Sequence, residues 1–245
     1  MAEEPKDNKW SRRSIIKGLA GVPFAGGILI AAASEVMGKQ NERDKILNSL
    51  NIEAERPPAT GSMSGDPLRV GIIGYGGRGS HLIRVLGFAD NEWLAEMENN
   101  AVKNPKDTRL KDFMEQEDLN VKLTAVCDVF DVRAELALNS FNTPTNKIKR
   151  YRTHQELIDS GEVDAVVIAT PDHWHAPISI YALNAGVHVY VEKPMTHNIS
   201  ETYALREAAK NSSAVFAVGH QHRQTQSFLT AQSVVKENVL GHVSL

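Results

Sequence analysis

Lys193 stands between Glu192 and Pro194, directly after the apolar run Val189-Tyr190-Val191. A long cation at the mouth of a run that belongs in a buried strand has two explanations. It is a solvated strand end, or it is aimed at a substrate. Far upstream, Gly74-Tyr75-Gly76-Gly77-Arg78-Gly79 has the spacing G-x-G-x-x-G. In such a turn the first glycine makes the bend and the second lets backbone approach a pyrophosphate. The third lets the following helix pack close, with its N-terminus facing the phosphates. Asp128 is the candidate acid at the end of a second strand. There it either accepts hydrogen bonds from an adenosine ribose or caps the following helix. A carboxylate there would repel a 2′-phosphate, which favours NAD over NADP. Two histidine pairs, His173/His175 and His220/His222, have H-x-H spacing, which in a strand puts both rings on one face and can hold a metal. Both pairs fall past strand ends with no acidic or cysteine ligand spaced beside them. Lining a cleft is therefore expected of them, and no metal site.

The elements that must position these residues follow from the apolar pattern. From Leu68 onward, short apolar runs alternate with helical segments, which predicts βαβ units and a parallel sheet. The predicted strands are 68–73, 121–127, 148–151, 164–169, 187–191 and 214–218. Helices are expected over about 77–87, 131–141, from Thr153 to Asp159 behind a Thr153–Glu156 capping box, from Ala176, and over 200–210. Residues 88–120 interrupt this rhythm with nine acidic and four basic residues, and a helix or two is expected there. An insertion at that place explains why Asp128 lies much farther from the glycines than the usual ~20 residues. The fold class is thus a doubly wound, Rossmann-type α/β sheet over residues 68–222. Residues 223–245 read as leading into a further strand beyond that domain.

Of the 245 residues, 42% are hydrophobic and 23% charged, and the formal net charge is −3. That balance suits a globular chain and gives no reason to expect nucleic acid as a partner. Cys127 is the one cysteine, so no intrachain disulfide can form. Arg12-Arg13 precede the 16 uncharged residues Gly18–Ala33, and Ala31-Ala32-Ala33 offers a small-residue cleavage site. This stretch is too short and too rich in glycine for a membrane span. It reads as a twin-arginine export signal over 1–33, an address and not an anchor, followed by a linker over 34–67. A periplasmic or otherwise exported protein is expected, with no stable membrane insertion.

Taken together, Gly74–Gly79, Asp128, Ala169–Ile178 ("ATPDHWHAPI"), Val189–Asn198 ("VYVEKPMTHN") and Val218–Gln224 ("VGHQHRQ") resemble the Gfo/Idh/MocA oxidoreductase family. With the arginine pair, the chain is similar to an exported subgroup that includes NAD-dependent glycosidases. The resemblance implies that Lys193 faces the nicotinamide and assists proton transfer during hydride transfer. A partly buried ammonium there would have a lowered pKa. It implies that Glu192 positions either the lysine or the cofactor ribose, that Thr170 and Pro171 line the cofactor groove, and that His175 reaches towards it. The implied substrate is a small carbohydrate or cyclic polyol. The resemblance also implies that residues 223–245 begin a C-terminal α+β substrate domain, without the rest of which the chain would be a nucleotide-binding module lacking catalysis, and that a homo-oligomer forms wherever that domain is present.

Overall fold

The computed structural model describes residues 65–144, 146–221, 223 and 225–238, together with Asn48. The expected export signal, most of the linker, His222 and residues 239–245 lie outside them.

Six strands form one parallel sheet: β1 (Leu68–Ile73), β2 (Val121–Cys127), β3 (Lys149–Tyr151), β4 (Ala165–Ile168), β5 (His188–Glu192) and β6 (Phe216–Gly219). Their order across the sheet is β3-β2-β1-β4-β5-β6. The chain runs outward in one direction from β1 to β3, then crosses back beside β1 to start β4. That reversal opens a crevice at the C-terminal ends of β1 and β4, where open α/β sheets bind ligands. The helices are α1 (Gly77–Val85), α2 (Asn91–Lys103), α3 (Arg109–Glu115), α4 (Asp131–Phe141), α5 (His154–Asp159), α6 (His175–Asn184), α7 (Ile199–Asn211) and α8 (Gln226–Lys236). None among the described residues is long and apolar enough to cross a membrane.

The strands are nearly continuous apolar runs because both sheet faces are covered. Ile73, Val166, Ile168, Val189 and Val191 pack on one face with Leu157, Ala176, Leu183 and Leu205 of α5, α6 and α7. Val70, Ile72, Leu123 and Val167 pack on the other with Leu82 and Ile83 of α1 and Phe141 of α4. One register shift interrupts the β1–β2 ladder, where Val70 faces Leu123 but Gly71 faces Ala125. Thr124 falls between, and its hydroxyl donates to the carbonyl of Glu162 at 2.8 Å. The bulge lets Leu123 and Val126 share a face although they are three apart.

Residues Leu94–Glu117 group into a compact unit distinct from the one that holds the sheet. In the former, the Arg109 side chain and backbone N–H both bond Asp107, and hold its carboxyl at about 2. In the latter, Asp90 accepts the Trp93 N–H at 2.8 Å and opens α2.

Several strand ends differ from the sequence expectation by one or two residues, and the hydrogen bonding around three of them can be named. Asp164 precedes β4 because its carboxylate takes the backbone N–H and guanidinium of Arg69. The strand β5 extends through Glu192, whose ladder partner is Gly219. The last strand starts at Phe216, since the N–H of Ala214 goes to the Ser212 hydroxyl and that of Val215 to the His188 ring. A 3-10 turn, Asp172–Trp174, leads directly into α6 at His175. The Thr153–Glu156 capping box is present, with Thr153 Oγ1 accepting the Glu156 N–H at 3.2 Å. Replacing Thr153 by Ala should cost about 1 kcal/mol, read as a lower urea midpoint at unchanged slope.

Candidate functional site

The glycine turn is held from both neighbouring strands. Gly74 adopts φ +90°, and its N–H donates to the Cys127 carbonyl at 2.8 Å. A Cβ on Gly74 would lie 2.8 Å from the Ala169 carbonyl oxygen at the end of β4. The next N–H, that of Tyr75, donates to Asp128 Oδ2 at 2.7 Å, and Asp128 Oδ1 accepts the Phe130 N–H at 2.8 Å. Asp128 is therefore held by two backbone N–H groups at the end of β2 beside the turn, with lone pairs left over on both oxygens. A Cβ on Gly79 would lie 2.0 Å from the Gly74 oxygen, whereas Cβ atoms on Gly76 and Gly77 would meet nothing within 4 Å. Backbone is thus packed behind the turn and open space lies in front. Gly76 caps α1 without a side-chain bond, so the first N–H groups of the helix have no side chain competing for them at that cap.

Tyr75 departs from its expected place. The backbone lies in the turn, but the side chain is 1% exposed and packs edge-on against Phe141 at 5.8 Å. Burial first, and then Asp90, raises its hydroxyl above the ordinary phenol range. Any part it takes in ligand binding belongs to its backbone.

Across the crevice, Arg78, Ala169, Thr170, Asp172, His175, Glu192, Lys193 and Gln221 line one cleft of about 330 Å³. The Thr170 hydroxyl oxygen is buried and has no hydrogen-bond partner among the described residues. His175 is 2% exposed, with Nδ1 2.6 Å from the Pro194 carbonyl and Nε2 2.9 Å from that of Thr170. The ring brackets two loops, the exit of β4 and the turn after β5, and does not project as a separate ligand. Pro171 is exposed and caps the 3-10 turn, its carbonyl accepting the Trp174 N–H at 3.0 Å.

For Lys193 the structure corrects the expectation of burial, and for Glu192 it adds a partner that the sequence did not name. Glu192 is 4% exposed, and its Oε1 receives Arg78 Nε at 2.7 Å and Nη2 at 2.5 Å. Its Oε2 receives the Lys193 backbone N–H at 3.3 Å. Its partner is thus the arginine of the glycine turn and not the lysine ammonium. Lys193 is exposed, one residue past the end of β5 at Glu192. The burial expected for the ammonium is absent among the described residues. Gln221 and Asp172 were not expected in the site, although both lie inside the motifs that carried the resemblance. His173 is exposed where His175 is buried, so the pair does not converge. No group of three or more metal-ligating side chains occurs among the described residues. Burial, then the neighbouring Asp128, pushes the Cys127 thiol up to about 12, which leaves it inert.

Residues 68–220 match the Gfo/Idh/MocA family, an oxidoreductase family with an NAD-binding Rossmann fold. The chain belongs to that family. Among curated relatives, a levoglucosan dehydrogenase of Pseudarthrobacter phenanthrenivorans is 34% identical over 89 residues, covering 36% of this chain and 23% of the relative. Glycosyl hydrolase family 109 protein 2 of Shewanella sp. (strain ANA-3) is 31% identical over 150 residues, covering 59% and 26%. Among solved structures, the myo-inositol 2-dehydrogenase of Lactobacillus plantarum superposes with a TM-score of 0.56 at 25% identity, covering 73% of this chain and 43% of that one. The chain therefore spans about a quarter of these curated relatives and less than half of the solved structure.

The site suits the dinucleotide that the family name implies. The turn is closed behind by backbone and open in front at Gly76 and Gly77, and a buried hydroxyl at Thr170 lacks a partner among the described residues.

Proposed function

We propose that the protein is an NAD-dependent oxidoreductase acting on a hydroxyl-bearing carbon of a sugar or cyclic polyol. The observation that carries this reading is the cleft in which the glycine turn (Arg78), the exit of β4 (Thr170) and the turn after β5 (Lys193) line a single space. Gly76 and Gly77 with the start of α1 would receive the pyrophosphate, and Asp128 the adenosine ribose. Thr170 offers its free hydroxyl to the cofactor, while His175 holds its loop in place. A bound nicotinamide would supply hydride acceptance and return. Lys193 would orient the substrate hydroxyl and exchange its proton. The anchored Asp128 carboxylate favours NAD over NADP by repelling a 2′-phosphate. Export through the twin-arginine route belongs to the same proposal, on the strength of Arg12-Arg13 and the uncharged run after them.

A second reading is a redox-neutral glycoside hydrolase, in which oxidation and re-reduction of the sugar cancel. The match to a family 109 glycosyl hydrolase over 150 residues favours it, as does the export signal. Dissolved NAD is scarce outside the cytoplasm, and a protein exported already folded can carry one cofactor molecule that a neutral cycle never exhausts.

The test is to denature the purified full chain and assay the supernatant for NAD(H) and NADP(H). Near-stoichiometric NAD supports a retained cofactor and the neutral cycle, and NAD that exchanges freely supports a dehydrogenase. No dinucleotide, and none bound on titration, would remove the cofactor assignment. In the same titration, Asp128→Ala should weaken NAD by roughly tenfold or more and narrow its advantage over NADP, as the loss of a charge-assisted hydrogen bond predicts.

A further inference from the structure

The unusual feature of the cleft is the partner chosen by Glu192. Its carboxylate is almost fully buried, and Gly219 on β6 walls it so closely that a Cβ there would lie 3.0 Å from Oε1. A buried carboxylate is strongly unfavourable without a cation. Two cations line the same cleft, Arg78 and Lys193. Lys193 is the neighbour in sequence, yet Arg78, 114 residues away, makes both side-chain contacts to Oε1. Lys193 gives Glu192 only its backbone N–H.

We propose that Arg78 is a positioning residue for Lys193: by engaging the buried Glu192 carboxylate, it keeps that carboxylate from capturing the adjacent ammonium and so leaves Lys193 free to face a substrate. The inference rests on the proposed role of Lys193. The guanidinium fork is planar and holds its geometry once seated, whereas an ammonium on a four-carbon stem swings to whatever charge is near. Remove the guanidinium and the nearest compensation for Glu192 is Lys193, drawn back over the strand end. The other titratable groups around Glu192 do not substitute for Arg78. His81 on α1 is held neutral by burial and by Arg78 and Arg84, with Glu192 acting weakly against them. Tyr190 on β5 is kept protonated by burial and by Glu192. Asp172, also on the cleft wall, is a second anion and supplies no positive charge.

The experiment is acylation of lysines in the folded full chain at one fixed pH, with Lys193 modification quantified by mass spectrometry relative to exposed Lys210. Only the free amine reacts, and a carboxylate within a few ångströms favours the charged form. Arg78→Gln should therefore lower Lys193 labelling roughly tenfold. Arg78→Gln with Glu192→Gln removes the competing charge and should restore labelling to the wild-type level. Arg78→Lys, which keeps a cation, should label as the wild type. Unchanged labelling in Arg78→Gln, or no rescue in the double variant, overturns the proposal. Should Arg78→Gln not fold, as judged by thermal melting, the other two variants decide, and a roughly tenfold loss of labelling in either overturns it. Labelling requires neither NAD nor turnover. A protein that binds no dinucleotide would end the proposed function and leave this result standing.

Discussion

Gly79→Ala should both destabilise the protein and abolish dinucleotide binding, while Gly76→Ala should affect binding alone. In a helix interior, alanine for glycine ordinarily gains about 1 kcal/mol. At position 79 the new Cβ would lie 2.0 Å from the Gly74 carbonyl oxygen and 3.1 Å from its carbon. Those are backbone atoms of a turn that also bonds Cys127, so no flexible side chain can move aside. Overpacking costs about 1–3 kcal/mol where side chains can still adjust. A fixed backbone oxygen puts this case at the upper end, and the clash outweighs the propensity gain. Gly76 has ordinary extended backbone at φ −85°, and nothing lies within 4 Å of its Cβ position. Its replacement should leave stability within about 0.5 kcal/mol, as for other substitutions that meet no packed neighbour. The methyl would nevertheless stand where a phosphate must approach backbone. Urea unfolding and NAD titration on the two variants separate packing behind the turn from access in front of it. Equal stability losses would show that the turn has no such division.

Where local chemistry decides an element, the sequence was enough. β2 is bounded by Asn120 and Asp128 and runs over the expected residues, and the Thr153–Glu156 box starts α5 as expected. Where a distant side chain decides, it was not. The Val215 N–H goes to a histidine 27 residues away, and β6 starts later than its apolar run suggests. Tyr75 sits inside a glycine motif, but its direction depends on Phe141 and Asp90, which no spacing connects to it. Glu192 shows the same limit most clearly. The resemblance implied that it positions the lysine or the cofactor ribose, and the topology supplied Arg78 by placing the start of α1 next to the end of β5. The one-residue extension of β5 has a further consequence. It buries the glutamate and leaves the lysine outside, the reverse of the burial expected for Lys193.

Lys193→Ala should lower the rate of substrate turnover by ~10²–10⁴-fold, the usual contribution of a positioned acid–base group, with NAD affinity nearly unchanged. The side chain is exposed and forms no ion pair among the described residues, so the change in stability should stay within about 0.5 kcal/mol. Loss of activity could then not be ascribed to unfolding. The full chain would be assayed against cyclic polyols, anhydrosugars and aryl glycosides, following both nicotinamide absorbance and aglycone release. A dehydrogenase accumulates reduced cofactor, and a redox-neutral hydrolase releases aglycone with none. Both proposed cycles assign the proton to Lys193, so the variant tests the lysine independently of which one operates. Lys193→Arg then separates its two duties. A guanidinium keeps the charge that orients a hydroxyl but does not give up its proton near neutral pH. If Arg restores KM but not kcat, the lysine transfers the proton. If it restores both, Lys193 acts through its charge alone, and proton transfer must be assigned to another group. Wild-type rates in Lys193→Ala would place the chemistry elsewhere and return the lysine to the plainer role of a solvated strand end.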